Sequence, residues 1–375
     1  ACQTAAQRVA FEQDVRIGEP GCPIGYSIRF ESKSSTAQGR TVDFETPGVI
    51  LRRATEDPLL SHVSHLVIDE VHERNADMDM LLALAKQAQS QRMNHSTLEP
   101  LQIVLMSATL DTDQWEAYFE KNQVADVDVP DARRFPIDII HAGEQGFPYL
   151  KSSSNWLMKG RKNSTTDLDK KLCEAVAELA VSLLERNGLG QGSILCFLPG
   201  MDEIQAVSRR ILGSQQKTKA KICFLHSSLS SKEQAKVFIP GPKIILSTNI
   251  AETSLTIPDV KIVIDSGRER QHSLMESASK SRTTSVIGSQ LATVDISQAS
   301  AKQRAGRAGR VSAGTCYRLY THDDIDSSFT PFTLPEMQRM ELSQLVLHSL
   351  SLYHPSSGHP LNLLLGAPDP PSQIR

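Results

Sequence analysis

The chain has 375 residues, 39% of them hydrophobic and 22% charged, with a formal net charge of −3. That length suits about two globular domains, and no run of ~18 apolar residues or signal-like amino terminus points to a membrane span or secretion; the composition fits an intracellular protein without separating nucleus from cytoplasm. The slightly acidic balance argues against nucleic-acid binding through overall basic charge, although Arg29, Arg52, Arg53, Arg133 and Arg134 can still line one face. Six cysteines (Cys2, Cys22, Cys173, Cys196, Cys223 and Cys316) are scattered without metal-ligand pairing and read as reduced core residues.

Residues 1–143 alternate short apolar strands with amphipathic helices, as a parallel-sheet α/β domain does. His65-Leu66-Val67-Ile68 reads as a strand, Met78 to Ala88 as a helix and Gln102 to Met106 as another strand. The stretch 144–170 is polar and rich in turn formers, the composition of an interdomain linker. A second α/β domain is expected over 171–332, opening with an apolar-periodic helix from Leu172 to Leu184, followed by strands near 194–198, 221–225, 243–247 and 261–265. Residues 266–295 leave that rhythm. Alternation near Thr284 to Val294 fits a protruding β-hairpin, and the low apolar content of Glu276 to Ser281 fits a surface insertion equally.

Several strand ends carry chemistry. The first apolar run delivers Asp69-Glu70-Val71-His72-Glu73-Arg74 to the carboxyl edge of a sheet. There Asp69 can hold Mg²⁺ and Glu70 can orient and deprotonate a water attacking a phosphoanhydride; a helix N-cap is the plainer use of such a pair. Gln102 to Met106 ends in Ser107-Ala108-Thr109, and Lys243 to Leu246 ends in Ser247-Thr248-Asn249-Ile250-Ala251-Glu252-Thr253-Ser254. These hydroxyls and amides suit phosphate and sugar-phosphate contacts, or helix caps. Farther on, Gln303-Arg304-Ala305-Gly306-Arg307-Ala308-Gly309-Arg310 sets three arginines three residues apart. With Arg307 and Arg310 on one helical edge, their planar, permanently charged forks would reach a phosphate; a solvated basic run is the alternative.

In order, Asp-Glu-Val-His, Ser-Ala-Thr, Thr-Asn-Ile-Ala-Glu-Thr-Ser and Gln-Arg-Ala-Gly-Arg-Ala-Gly-Arg resemble motifs II, III, V and VI of the DEAH-box RNA helicases of superfamily 2. Further matches are Gly25 to Glu31, Thr46-Pro47-Gly48, Ser193 to Gly200 and Ser297 to Ser300. The resemblance implies two RecA-like parallel-sheet domains of the P-loop NTPase fold, over 1–143 and 171–332. It also implies the start of a helical winged-helix region over 333–375, where Leu334-Pro335-Glu336-Met337-Gln338-Arg339 matches.

The same resemblance assigns roles. ATP, with weak discrimination against other nucleoside triphosphates, would bind in the cleft between the two domains with Mg²⁺ on Asp69 and Glu70. Glu70 would be the base, Gln303 would help place the water, and Arg307 and Arg310 would act as arginine fingers. Phe238 and Arg8 would stack on the base, and Asp265 would join the nucleotide site. His72, Ser107 and Thr109 would couple hydrolysis to RNA. Arg29, Phe30, Thr46, Ser227, Ser228, Asn249 and Thr253 would touch an RNA strand, mostly at its backbone. The partners implied are single-stranded or structured RNA and an adaptor protein, with no membrane and a monomeric chain, and movement runs 3′ to 5′.

Two departures stand out. Val71 replaces the namesake alanine, and Asp131-Ala132-Arg133-Arg134-Phe135-Pro136 lacks the family's Gly-Arg pair. There is also no Gly-Lys dipeptide and hence no GxxxxGK[ST] loop. The resemblance then implies a fragment starting downstream of motifs I and Ia, with Ala1 to Glu12 matching the helix after motif Ia. By themselves these 375 residues are expected to bind RNA weakly and to hydrolyse little ATP. A non-enzymatic RNA-binding scaffold and a DNA or viral-type helicase remain alternative readings.

Overall fold

The computed structural model describes residues 2–108, 112–120, 124–129, 135–150, 165–187, 192–214, 221–252, 257, 259–277, 286–352, 359 and 361–371. The chain divides into two compact units. One comprises Ala1–Asp126, His272–Gln290 and Leu334–Arg375, and the other Val127–Gln271 and Leu291–Thr333.

The first unit opens with α1 (Cys2–Glu12), β1 (Ile24–Ile28), β2 (Glu31–Lys33) and β3 (Val42–Glu45). β1 pairs antiparallel with β2 and parallel with β3, and Ala6 and Ala10 of α1 pack on Ile24 and Tyr26. After α2 (Pro47–Arg53) come β4 (His65–Ile68), α3 (Ala76–Met93), β5 (Gln102–Leu105) and α4 (Thr112–Phe119). β4 and β5 pair in parallel with His65 opposite Gln102, so both carboxyl ends leave the same edge. Leu66 and Ile68 face a core with Leu81, Leu82 and Trp115. On the opposite face Val67, Val104 and Met106 are exposed, Val67 at 53%.

The second unit begins with β6 (Ile137–His141), which pairs with a strand near residue 316 instead of joining the first unit. The first unit's opening stretch thus ends at Asp126, short of the boundary expected at 143. There follow α5 (Thr165–Asn187), β7 (Ser193–Phe197), α6 (Met201–Ser214), β8 (Lys221–Leu225), α7 (Ser231–Gln234), β9 (Lys243–Ser247), β10 (Val260–Asp265), the paired strands β11 (Arg268–Ser277) and β12 (Val286–Asp295), of which His272–Gln290 belong to the first unit, α8 (Gln298–Ala305), β13 (Gly314–Arg318) and α9 (His322–Ser328). Six strands form one sheet in the order β6-β13-β10-β7-β9-β8, every pair parallel.

Alternation along those strands builds a three-layer sandwich, because successive side chains point to opposite faces. Ile194, Cys196, Ile244 and Leu246 pack under α5 and α6, whereas Leu195, Phe197, Ile245 and Val263 pack with Val237, Ala305 and Ala308. The expected strands near 194, 221, 243 and 261 are all present. α5 starts inside the expected linker, and the hairpin tip, 278–285, lies outside the described residues.

The chain then returns to the first unit. A 3₁₀ turn at Glu336–Gln338, α10 (Leu342–Ser351) and α11 (Asn362–Leu365) place Met337, Leu345, Leu363 and Leu364 in the same core as Leu66, Ile68 and Val71. No helix among the described residues is long and apolar enough to cross a membrane.

Candidate functional site

Asp69 and Glu70 stand at the exit of β4, Asp69 exposed and Glu70 half-buried. The next three residues, Val71–Glu73, form a single 3₁₀ turn. It is bracketed by two non-glycine residues in the left-handed region, Glu70 at φ 54° and Arg74 at φ 47°. Such conformations cost about 1–3 kcal/mol each and persist only where surrounding contacts over-determine them. Some of those contacts are local. The Glu70 amide donates to Asp69 Oδ1 at 2.8 Å, the Val71 amide to the Met106 carbonyl at 3.2 Å and the Glu73 amide to the Glu70 carbonyl at 2.9 Å.

His72 joins this turn to the exit of β5. Its Nδ1 lies 3.0 Å from Ser107 Oγ and 3.5 Å from Glu70 Oε2, while its buried Nε2 has no partner. The structure therefore brings together three residues assigned to hydrolysis and coupling; Thr109 lies outside the described residues. Two carboxylates at one strand end suit Mg²⁺, which takes one or two protein carboxylates and fills its octahedron with water and phosphate oxygens. Among the described residues no set of three His, Cys, Asp or Glu side chains is arranged to hold a metal by itself.

In the second unit, Ser297 caps α8 by accepting from the Ser300 amide at 3.1 Å. The helix ends at Ala305, so Arg307 and Arg310 do not share a helical edge as expected. Two glycines favour the break. At Gly309 a Cβ would sit 2.5 Å from Ile137 Cγ1, so the backbone must run bare against β6. Arg307 is buried, Arg310 is exposed, and the side-chain oxygen of Gln303 is buried without a partner.

The first arginine of the octamer behaves differently. Arg304 is fully enclosed: Nε donates to Glu252 at 3.0 Å, Nη1 to Asp265 at 3.0 Å and to the Arg268 carbonyl at 3.2 Å, and Glu269 lies 3.6 Å from Nη2. The guanidinium also lies over the Phe197 ring. Burial alone disfavours its charge, but Asp265, Glu252 and Glu269 outweigh that and raise its pKa. Asp265, expected at the nucleotide, is consumed here. Oδ1 also accepts from the Gly267 amide and Oδ2 from the Tyr320 hydroxyl at 2.7 Å, and the side chain is fully enclosed.

The remaining assigned residues are on the surface or outside the described set. Phe238 ends the 3₁₀ turn Ala235–Phe238 and is 37% exposed; Arg8 lies on α1, paired with Glu12 at 2.6 Å. Phe30 is 94% exposed at φ 70°, with the Arg29 guanidinium 4.8 Å from its ring centre. A bonded pair, the Tyr26 hydroxyl and Glu31, flanks this tip. Thr46 precedes α2 without capping it through its side chain, Ser227 and Ser228 turn the chain after β8, with Ser228 Oγ 2.8 Å from His226 Nδ1, and Asn249 is exposed at the start of a 3₁₀ turn. Thr253 is not among the described residues.

Two clusters escaped the sequence. At the end of β6, His141 stacks on His322 at 3.8 Å, with Arg318 Nη1 3.4 Å from its Nε2. Burial, then the positive charges of Arg318 and His322, lower the His141 pKa to about 4. The other is the cluster around Arg74, whose side chain donates to Asp79 at 2.8 and 3.2 Å and to Asp369 at 2.7 Å. Burial pushes the Asp79 carboxyl up despite this pairing. Only the adjacency of Arg74 to the acidic pair hinted at it.

A RecA-like parallel sheet followed by clustered arginines, together with a parallel-strand exit bearing Asp-Glu and a His–Ser bridge, defines a superfamily 2 helicase core. The profile of the helicase conserved C-terminal domain matches residues 173–312. The RNA editing associated helicase 2 of Trypanosoma brucei brucei is 36% identical over 98% of this chain and 17% of its own length. The probable ATP-dependent RNA helicase DHX34 of Homo sapiens is 36% identical over 100% of this chain and 30% of its own. The crystal structure of Escherichia coli DEAH/RHA helicase HrpB superimposes with a TM-score of 0.70 and 28% identity, covering 99% of this chain and 41% of that one. The chain belongs to the DEAH-box family of helicases, and it spans under half the length of each of these proteins.

Proposed function

We propose that this chain is the motor core of an ATP-dependent RNA helicase. Glu70 orients and deprotonates the attacking water, Gln303 helps place it, and Arg307 and Arg310 stabilise charge on the transferred phosphoryl group. Asp69 and Glu70 would hold Mg²⁺, which supplies charge neutralisation at the phosphates. Phe238 and Arg8 stack on the base; Asp265 is no longer assigned to the nucleotide. The observation that carries the reading is the His72–Ser107 contact at 3.0 Å, which ties the acidic turn to the Ser-Ala-Thr turn as a coupling device requires.

RNA is the proposed substrate, moved 3′ to 5′ by a monomeric core with target choice supplied by an adaptor protein. The exposure of Phe30, in a conformation that costs energy, supports a stacking role on a base beside Arg29. Asn249, Ser227, Ser228, Thr46 and Thr253 add contacts to the strand backbone, which position RNA without reading its sequence.

The test is Glu70→Gln in the full-length protein. RNA-stimulated ATP hydrolysis is expected to fall by about 100-fold or more, as loss of a general base does, with RNA affinity retained. Unchanged hydrolysis overturns the reading. Because no GxxxxGK[ST] loop occurs in these 375 residues, the 375-residue polypeptide itself is expected to bind RNA and to turn over little ATP.

A further inference from the structure

Glu70 and Arg74 both sit in the left-handed region within five residues, and local hydrogen bonds at Glu70, Val71 and Glu73 hold the near half of that turn. The far half is held by the start of the following helix and also from far along the chain. The Arg74 carbonyl accepts from the Glu336 amide at 2.9 Å, and Glu336 Oε2 accepts from the Ala76 amide at 2.8 Å, at the exposed donor end of α3. The Arg74 side chain bridges Asp79 at the start of α3 and Asp369, 295 positions along the chain. Asp369 also accepts from Gln114 Nε2 at 2.6 Å, and the Tyr118 hydroxyl donates to the Gly366 carbonyl at 2.6 Å. Thus the helix that follows Ser-Ala-Thr meets the same C-terminal residues.

This is more than a surface contact. Arg74 and Asp79 are buried, Arg74 lies over the Trp115 ring, and Met337, Leu345, Leu363 and Leu364 complete the core under Ile68 and Val71. Exposed ion pairs contribute little, but removing one partner of a buried network leaves charge uncompensated.

We propose that residues 334–352 and 361–371 are a positioning element for the acidic turn, with Arg74 and Asp369 as positioning residues. The strained turn keeps its shape because this segment closes over its far end. Displacement of the segment relaxes the turn that presents Asp69 and Glu70. That functional consequence rests on the reading of Asp69 and Glu70 as hydrolytic residues; the mechanical claim does not.

The experiment is hydrogen exchange on the full-length protein and its Asp369→Asn and Asp369→Glu variants. Loss of one charge-assisted bond is expected to speed exchange of the 69–76 amides about tenfold in Asp369→Asn, leaving the β1–β3 sheet unchanged. Asp369→Glu, which keeps the charge, is expected to restore most of the protection. Where hydrolysis is measured, kcat should fall by about the same factor as the turn loosens, with KM for ATP within about twofold. Unchanged exchange at 69–76, or an equal rise throughout the unit, overturns the proposal. If Asp369→Asn does not fold, Glu336→Gln, which weakens the bond to Ala76, reads the same turn. Absence of hydrolysis in the unmodified protein defeats the functional reading and still leaves exchange to decide the tether.

Discussion

Two charged sites, one in each unit, are handled in opposite ways. In the second, Arg304 is sealed among Glu252, Asp265 and Glu269, with Tyr320 closing the remaining oxygen of Asp265. In the first, the acidic turn is strained at Glu70 and Arg74, Asp69 faces solvent, and His72 keeps a buried nitrogen without a partner. A satisfied cluster fixes a fold, whereas strain and an unmatched polar atom beside an exposed carboxylate mark a place built to meet something else. Charge density alone therefore does not locate function in this chain; the degree to which the charges are already satisfied does.

The largest effect is expected from Arg304→Ala. Leaving three carboxylates around a void should cost about 3–5 kcal/mol of stability, read by chemical denaturation of the second unit's transition. A loss under about 1 kcal/mol, the level of an exposed pair, would erase the contrast between the two sites. The Ser107→Ala, Thr109→Ala double variant sharpens the other side. Unwinding by the full-length protein should drop at least about tenfold while hydrolysis stays within about twofold, since the bridge from His72 is lost but the acidic pair is not. Joint loss of both activities would instead make Ser107 part of the hydrolytic machinery.

The smallest effect concerns His141. Its folded value near 4 lies below the ordinary 6.5, so the unfolded chain takes up a proton that the folded one refuses. Stability should be fully present above about pH 6.5 and decline as pH falls toward about 4. Melting temperature measured across that range should slope less in His141→Phe; an identical slope would assign the acid sensitivity elsewhere.

Much of this was legible beforehand. Runs such as Ile194 to Phe197 and Ile244 to Leu246 are apolar on both faces, which only a strand buried between helix layers tolerates, and the chemistry-bearing residues follow those runs directly. What stayed hidden depends on pairing across the chain. Nothing in Ile137–His141 says which sheet it joins, and no periodicity links Arg74 to Asp369. The arginine octamer hid a distinction of another kind. A pitch of three presents Arg304, Arg307 and Arg310 as equivalents, and only the end of α8 at Ala305 sets the helical strut at Arg304 apart from the two that follow.

That separation bears on how alleles would be interpreted. Lysine at position 304 preserves charge yet cannot reproduce a planar fork that meets Glu252 and Asp265 through different nitrogens while lying over Phe197. Such an allele would act by depleting the protein, most severely at raised temperature, and a screen scoring growth alone would mistake a folding defect for the loss of an arginine finger.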